Sequence, residues 1–122
     1  MLKKDILRNK EDFSSIYKRG KSVGERYIVL FYKKNNLGYK RIAFLASKKV
    51  GNSVQRNRAR RLMKENYRFL KDSITDGYDL IFIARNTING MKMPEVGKSM
   101  RNAVKRAKLL KYQFICYVRI RK

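Results

Sequence analysis

The sequence predicts an α+β fold, with helices and strands that alternate along a chain of 122 residues. Three runs rich in β-branched and aromatic residues, at 26–32, 41–47 and 78–85, are typical of strands. Three stretches with apolar residues at helical spacing follow Asn9, Asn52 and Met93. A chain of this length can bury one modest core but not two, so we expect one domain over residues 1–122.

The first helix is predicted to begin after Asn9, whose side chain can cap it, and to end at Gly20. Phe13, Ile16 and Tyr17 are spaced i, i+3 and i+4, so they share one face. A helix this short persists only if it docks on the rest of the protein. The simplest interpretation is that this face is part of the core.

The strand at 26–32 places Val29 and Phe31 on one face and Ile28, Leu30 and Tyr32 on the other. A turn-forming Asn-Asn-Leu-Gly at 35–38 separates this strand from the one at 41–47, and the short connection predicts that the two pair antiparallel. Both faces are partly apolar. One must meet the helices, and the other needs either a second helix layer or a ligand.

The second helix is predicted to begin after Asn52, with Gln55 completing a variant of the capping box, and to run to about Lys71. At 100° per residue, its apolar side is expected to contain Ala59, Leu62, Met63, Phe69 and Leu70. The opposite side contains Asn57, Arg61, Lys64 and Arg68, flanked by Arg56, Arg60 and Lys71. The helix therefore carries a cationic stripe opposite its core-facing side.

The run at 78–85 follows an Asp-Gly turn, and its nearly continuous apolar character predicts an interior strand. Because a long helix precedes it, we expect it to pair parallel with the strand at 41–47. Pro94 suits the start of a third helix, whose apolar stripe is Val96, Met100, Ala103, Val104 and Ala107. Its outer face is basic: Lys98, Arg101, Lys105, Arg106 and Lys108. Residues 112–122 have strand propensity but could equally form a packed or frayed tail.

The charge balance indicates an anionic partner, because 32 Lys and Arg residues against 9 Asp and Glu give a net charge of +23. Nucleic acid is the leading candidate. A membrane surface is the alternative, but no apolar run approaches the roughly 20 residues that span a bilayer. The first residues lack the apolar core of a signal peptide, so we expect a cytoplasmic protein.

Cysteine and histidine content excludes several classes of site. The single Cys116 cannot form an intrachain disulfide or complete a zinc site. Histidine is absent, which removes Ser-His-Asp and Cys-His nucleophile systems and imidazole general bases. The remaining carboxylate cluster, Asp72, Asp76 and Asp79, resembles a magnesium-nuclease site only in composition, and turn chemistry explains it more simply. We expect no metal site in the protein, and any catalysis by the protein alone would have to rest on carboxylates or lysines.

Two patterns suit RNA. Cations at helical spacing along one face can grip successive phosphates. Aromatic residues beside cations suit unpaired bases, and Phe13 and Tyr17, next to Lys18 and Arg19, could face Val29 and Phe31 across a cleft.

The order and spacing of these motifs resemble the protein subunit of bacterial ribonuclease P over roughly residues 2–110. The most specific part is Lys-Lys-Val-Gly-Asn-Ser-Val at 48–54, followed by Arg-Asn-Arg at 56–58 and Arg-Arg-Leu at 60–62. Supporting segments are Asn-Lys-Glu-Asp-Phe at 9–13, Tyr-Lys-Arg-Gly at 17–20 and Asp-Leu-Ile-Phe-Ile-Ala-Arg at 79–85.

The resemblance implies a two-layer α/β sandwich of order αβββαβα, with a mixed sheet and a left-handed βαβ crossover, related to the second domain of a small-subunit ribosomal protein. It implies that the protein binds the catalytic ribonuclease P RNA and the 5′ leader of precursor tRNA. The RNA, with its Mg²⁺ ions, would perform the hydrolysis that removes the leader. No membrane or obligate protein partner is expected.

The resemblance also implies two sets of site residues. Those expected to contact RNA are Lys48, Lys49, Asn52, Arg56, Asn57, Arg58, Arg60, Arg61, Lys64 and Arg68. Those expected to line a cleft for the leader are Phe13, Tyr17, Lys18, Val29 and Phe31. Two alternatives stay open at this point: a ribosomal or general RNA-binding protein, and a nuclease that acts alone.

Overall fold

A computed structural model of the protein describes residues 3–111, which form three α-helices and a four-stranded sheet. In chain order the elements are α1 (Lys10–Arg19), β1 (Lys21–Gly24), β2 (Ile28–Lys34), β3 (Arg41–Leu45), α2 (Ser53–Leu70), β4 (Tyr78–Ala84) and α3 (Met93–Arg106). Short 3₁₀ turns lie at Lys3–Asp5, Lys71–Ser73 and Asn86–Ile88. The order αβββαβα agrees with the prediction. The proposed C-terminal strand or tail at 112–122 lies outside the described residues.

The strand order in the sheet is β1-β2-β4-β3, so β4 is interior, as its apolar sequence predicts. β3 and β4 pair parallel and are connected through α2, which confirms the predicted βαβ unit. The left hand of this connection stays a prediction.

The expected antiparallel pairing of β2 with β3 is wrong. β4 lies between these strands, pairing antiparallel with β2 and parallel with β3. The turn at 35–38 does form, with Asn36 and Gly38 at positive φ, but it joins strands that are not neighbours. The partner of β2 on its other side is β1, a four-residue strand that the residue pattern did not reveal.

Each face of the sheet is apolar and packs against helices. On one face lie Ile28, Leu30, Ile42, Leu80 and Phe82, which form the main core with α2 and α3. The other face contributes Ala43 and Ile81 to a smaller core with Leu7 and with Ile16 of α1. Of the two covers expected for this face, a second helix layer or a ligand, the helix layer is present as α1, and it covers only part of the face.

Two aromatic residues near the end of α2 differ from the predicted pattern. Phe69 is 78% exposed, so its assignment to the core side is wrong, whereas Tyr67 is buried. Tyr67 follows Ala59 and Met63 at steps of four and continues their buried row. Its ring contacts Phe44 and Phe82, with centroids 5.5 and 6.3 Å away. The other predicted core residues of α2 are buried, except Leu62, which is half-buried.

The two helices of the main layer contact each other closely. A Cβ atom placed on Gly97 of α3 would lie 2.4 Å from Oδ1 of Asn66 on α2. The Asn66 amide is held in place, because its Nδ2 donates to the carbonyl oxygens of Leu62 at 3.0 Å and Met93 at 3.2 Å. Glycine at position 97 therefore lets the helices approach.

No helix within residues 3–111 is long and apolar enough to cross a membrane.

Candidate nucleic-acid interface

The N-terminus of α2 is fixed by the predicted capping box. The Gln55 backbone N–H donates to Asn52 Oδ1, and the Asn52 N–H donates to Gln55 Oε1, both at 2.9 Å. Gly51 has φ +143°, and a Cβ there would lie 1.8 Å from Gln55 Oε1. Only glycine fits this position. Lys48 and Lys49 are exposed on the turn just before it, beside the positive end of the helix dipole.

Farther along α2, a line of exposed cations points away from the core. We call Arg61, Lys64 and Arg68 the α2 stripe; they are spaced i, i+3 and i+7, and Asn57 extends the line by one turn. Within residues 3–111, Arg61 and Lys64 have no hydrogen-bond or ion-pair partner. Arg68 pairs with Glu65 at 2.9 Å, and both side chains are solvent-exposed, so water and salt weaken this pair. The stripe is therefore available to bind an anion.

Three other arginines of α2 donate hydrogen bonds inside the protein. Arg56 donates to Ser53 Oγ at 3.2 Å, and Arg60 donates to Asn57 Oδ1. Arg58 Nη2 donates to the Met91 carbonyl oxygen at 2.6 Å, and Arg58 is half-buried. Arg58 thus ties α2 to the segment before α3, a role that its place in the sequence motif does not reveal.

The predicted aromatic cleft residues lie together between α1 and β2. The Tyr17 ring meets Phe31 edge-on at 5.1 Å between centroids, and the Phe13 and Tyr17 rings are 6.4 Å apart. Val29 lies two residues from Phe31 on the same face of β2. Lys18 follows Tyr17 on α1 and is exposed. Tyr17 is 42% exposed, so its ring is accessible to a ligand, and partial burial raises the pKa of its hydroxyl.

Sequence reasoning missed two residues that extend this apolar surface. Ile83 of β4 lies opposite Val29 of β2 and Leu45 of β3 in the sheet register. Both Ile83 and Leu45 are half-buried and pack beside the smaller core. The alternation of β4, once its interior position is known, would have identified Ile83. The surface therefore continues across three strands.

An ion-pair network holds α1 against this face of the sheet, and it was not predicted. Arg41 of β3 donates from Nε and Nη2 to the buried carboxylate of Asp79 on β4, at 2.8 and 2.7 Å. Its Nη1 donates to Asp12 of α1 at 3.1 Å. Asn35 adds a further donor to Asp79 at 2.8 Å. Asp79 raises the pKa of Arg41 through these hydrogen bonds, so the cation is permanent.

Two carboxylates of the Asp72, Asp76 and Asp79 cluster have different partners. Asp79 binds Arg41, whereas Asp76 accepts from Lys40 at 2.7 Å and Lys111 at 3.3 Å. The hydrogen bond from Lys40 lowers the pKa of Asp76. No three His, Cys, Asp or Glu side chains within residues 3–111 are grouped so that they could hold a metal ion.

Comparisons with known proteins agree with this architecture. Residues 1–108 match the model of the family described as Ribonuclease P. The chain is 40% identical over 105 residues to the ribonuclease P protein component of Pelotomaculum thermopropionicum, covering 86% of this chain and 94% of that one. It is 43% identical over 101 residues to that of Clostridioides difficile, covering 82% and 89%. The structure of the Staphylococcus aureus RNase P protein superimposes with a TM-score of 0.79 at 32% identity, covering 88% and 98%.

Proposed function

We propose a function in RNA binding, because the chain belongs to the ribonuclease P protein family, which works with an RNA subunit in processing the 5′ leader of tRNA. In this proposal the chain binds the catalytic RNA through α2 and the leader through the α1–β2 cleft. The α2 stripe is the observation that carries this proposal. Arg61 and Lys64 have no partner among residues 3–111, and Arg68 has only a solvent-exposed pair with Glu65, so each cation can neutralise one phosphate. A side chain engaged inside the protein could not do so without breaking its own contact.

The proposed RNA-contacting set begins at the turn before α2. Lys48, Lys49 and the N-terminal backbone of α2 present charge and N–H groups to one phosphate region. Asn52 fixes this geometry through its cap, while Arg58 positions the helix through Met91. Direct contacts are proposed for the exposed Asn57, Arg61, Lys64 and Arg68, and for the half-buried Arg56 and Arg60, which would exchange their hydrogen bonds within α2 for bonds to RNA.

The cleft between α1 and β2 is proposed to bind the single-stranded leader. Tyr17 offers an accessible ring, Phe31 and Phe13 support it, and Val29 continues the apolar surface toward Ile83. Unpaired bases stack on aromatic rings without requiring a particular sequence. Lys18 provides a cation for the leader backbone. The rings and the sheet face are thus suited to binding single-stranded RNA without sequence specificity.

The hydrolysis is assigned to the RNA subunit and its Mg²⁺ ions. The protein has no histidine, and its acids near the sheet end are bound to lysine or arginine side chains. Protein side chains would therefore contribute binding, orientation and charge neutralisation, and they would lower the Mg²⁺ concentration that the RNA needs. The proposed partners are the catalytic RNA and precursor tRNA, with no obligate protein partner.

Cleavage of precursor tRNA by the cognate ribonuclease P RNA, with and without the protein, tests this proposal. We expect the protein to increase cleavage and to lower the Mg²⁺ concentration for half-maximal rate. Unchanged turnover and unchanged Mg²⁺ demand would contradict it. Cleavage by the purified protein freed of RNA, abolished in Asp79→Asn, would support instead a nuclease that acts alone. Stable cosedimentation with ribosomes in place of ribonuclease P RNA would support a ribosomal protein.

A further inference from the structure

A second line of cations lies on α3 and the turn that follows it. We call Lys98, Arg101, Lys105 and Lys108 the α3 stripe; the first three are spaced i, i+3 and i+7 and share one face of α3, and Lys108 lies two residues beyond the end of the helix. All four are exposed, and none of their side chains has an ion-pair or hydrogen-bond partner among residues 3–111. Glu95 is the single acid of α3. This row is not part of the surface assigned above.

A shallow groove runs beside the row. It has a volume of about 440 Å³ and is lined by Glu25, Asn102, Lys105, Arg106 and Lys108. Glu25 is paired with Arg106, which also donates to the Gly24 carbonyl oxygen at 2.8 Å. The acid of the groove is therefore neutralised from within, and Lys105 and Lys108 leave it with a net positive charge.

The backbone at Lys108 provides an independent observation. Lys108 has φ +61°, the left-handed conformation that usually belongs to glycine after a helix. The Lys108 N–H donates to the Lys105 carbonyl oxygen at 3.0 Å, and the Leu109 N–H donates to that of Val104 at 3.1 Å, the pattern of a Schellman motif. A lysine is strained in this position, and here it holds its ammonium group at the groove. Strain of this kind points to a use for the side chain.

The α3 stripe lies in the same layer as the α2 stripe. Both helices pack on one face of the sheet, and they meet where Gly97 contacts Asn66. The cations of each helix lie on the side away from the buried residues. On α2, Lys64 and Arg68 each lie two residues from Asn66, about 200° around the helix, so the α2 stripe is on the side of α2 turned away from α3. The two stripes are therefore separate positive surfaces of the same layer.

We propose that the α3 stripe is a second binding surface for the sugar-phosphate backbone of RNA, contacting a segment other than the one bound on α2. This inference rests on the proposed function of α2. A lipid surface fits less well, because an interfacial helix inserts its apolar face into the membrane, whereas Val96, Met100 and Ala103 of α3 are buried in the core. Backbone phosphates require only the exposed cations.

Binding of the full chain to the cognate ribonuclease P RNA, measured over a series of salt concentrations, tests the proposal. In the triple variant Lys98→Gln, Arg101→Gln, Lys105→Gln, we expect the log-log salt slope to decrease in magnitude by about 2 to 3 units, since each lost phosphate contact removes about 0.7 to 0.9. The matched control is Lys10→Gln, Lys21→Gln, Lys34→Gln, which removes the same charge from exposed positions elsewhere. The control is expected to keep a slope close to that of the original protein.

The outcomes separate this inference from the proposed function. Equal loss in both triple variants would overturn the α3 surface, because the total charge alone would then explain binding. An unchanged slope in the α3 variant would also overturn the α3 surface. The same holds if that variant binds RNA with an unchanged slope but no longer sediments with anionic phospholipid vesicles. If Arg61→Gln, Lys64→Gln, Arg68→Gln leaves RNA binding unchanged, then the proposed α2 contact fails independently of α3.

Lys108→Gly provides a second test, in which weaker RNA binding could not be explained by unfolding of the variant. Glycine adopts the left-handed conformation without strain, so this variant is expected to melt at a higher temperature than the original protein. Its salt slope should nevertheless decrease in magnitude by about one unit. A variant that melts higher and binds RNA with an unchanged slope would remove Lys108 from the surface and contradict the use inferred from its strain.

Discussion

Arg41 and Asp79 lie opposite each other on the parallel strands β3 and β4, with Arg41 Nη2 2.7 Å and Nε 2.8 Å from the two carboxylate oxygens. The third nitrogen of the same guanidinium reaches Asp12 on α1. One side chain thus joins the two strands of the βαβ unit to the helix that forms one wall of the cleft. This contact fastens α1 to the sheet beside the proposed leader cleft.

Arg41→Ala is expected to destabilise the protein by about 3 kcal/mol, because it leaves the Asp79 carboxylate buried without its cation. Urea denaturation at neutral pH measures the free energy of unfolding. The matched control is Arg68→Ala, which breaks the exposed pair with Glu65 and should cost less than about 1 kcal/mol. Similar losses in the two variants would show that the Asp79 pair has no special stabilising role.

Tyr67→Phe should make stability less sensitive to alkaline pH. Burial, followed by the nearby Asp5, Asp76 and Asp72, raises the pKa of Tyr67 above its ordinary value of 10.0. The folded state therefore favours the neutral phenol. The stability that the neutral Tyr67 side chain contributes is complete below pH 10 and is lost as the pH rises toward the folded-state pKa. Between pH 9 and 11, the urea midpoint of the original protein should fall relative to that of Tyr67→Phe. Parallel pH curves would contradict this assignment.

Gly97→Ala is expected to lower the free energy of unfolding by about 1 to 3 kcal/mol, since the new methyl group would overlap Asn66 Oδ1. This loss would exceed the gain of up to about 1 kcal/mol that alanine brings to a helix. In the double variant with Asn66→Ala, the overlap is absent, so the two changes should cost less together than the sum of their separate effects. Strictly additive losses would indicate that the two positions do not clash.

Arg61→Ala should weaken binding to the ribonuclease P RNA and reduce the magnitude of the salt slope by about one unit, if Arg61 contacts one phosphate. Because Arg61 is exposed and its side chain has no partner within residues 3–111, the melting temperature of the variant should stay close to that of the original protein. Lys10→Ala, on α1, is the control for loss of one exposed charge. An Arg61→Ala slope equal to that of the control would place Arg61 outside the interface.

Tyr17→Ala should reduce affinity for a leader-containing precursor by about 1 to 3 kcal/mol, the usual loss when a stacking ring is removed. Affinity for mature tRNA should not change, because it has no leader. Phe13→Ala is the informative comparison: Phe13 packs against the smaller core, so its loss should also lower the melting temperature. Equal losses of affinity for precursor and mature tRNA in Tyr17→Ala would contradict leader binding in this cleft.

The helices could be predicted closely from the sequence because their signals are local. Asn9 and Asn52 cap α1 and α2 with the expected side-chain bonds, and Gly20 ends α1. Even the error within α2 is informative. The apolar side was expected to extend to Phe69, which is exposed, whereas the buried row of Ala59 and Met63 continues through Tyr67. The phase of a helix is a better guide there than the apolar character of one residue.

The sheet was harder to predict because its pairing is set by tertiary structure. A short link between β2 and β3 favours a hairpin, but β4 binds between them and replaces that contact. β1 is only four residues long and mostly exposed, so its pairing with β2 follows from position and not from composition. The ion pair of Arg41 with Asp79 joins residues 38 apart in the sequence. It becomes visible only once β3 and β4 are placed in register.

The interior position of β4 has a consequence for the order in which the protein assembles during synthesis. β2 and β3 each have an unpaired edge until residues 78–84 arrive, so the growing chain cannot complete the sheet with its first 77 residues. The basic helix α2 emerges before β4, one of the two strands that it contacts, and long-range pairings of this kind slow folding. The surface proposed to hold RNA is therefore translated early but becomes rigid only when β4 is inserted.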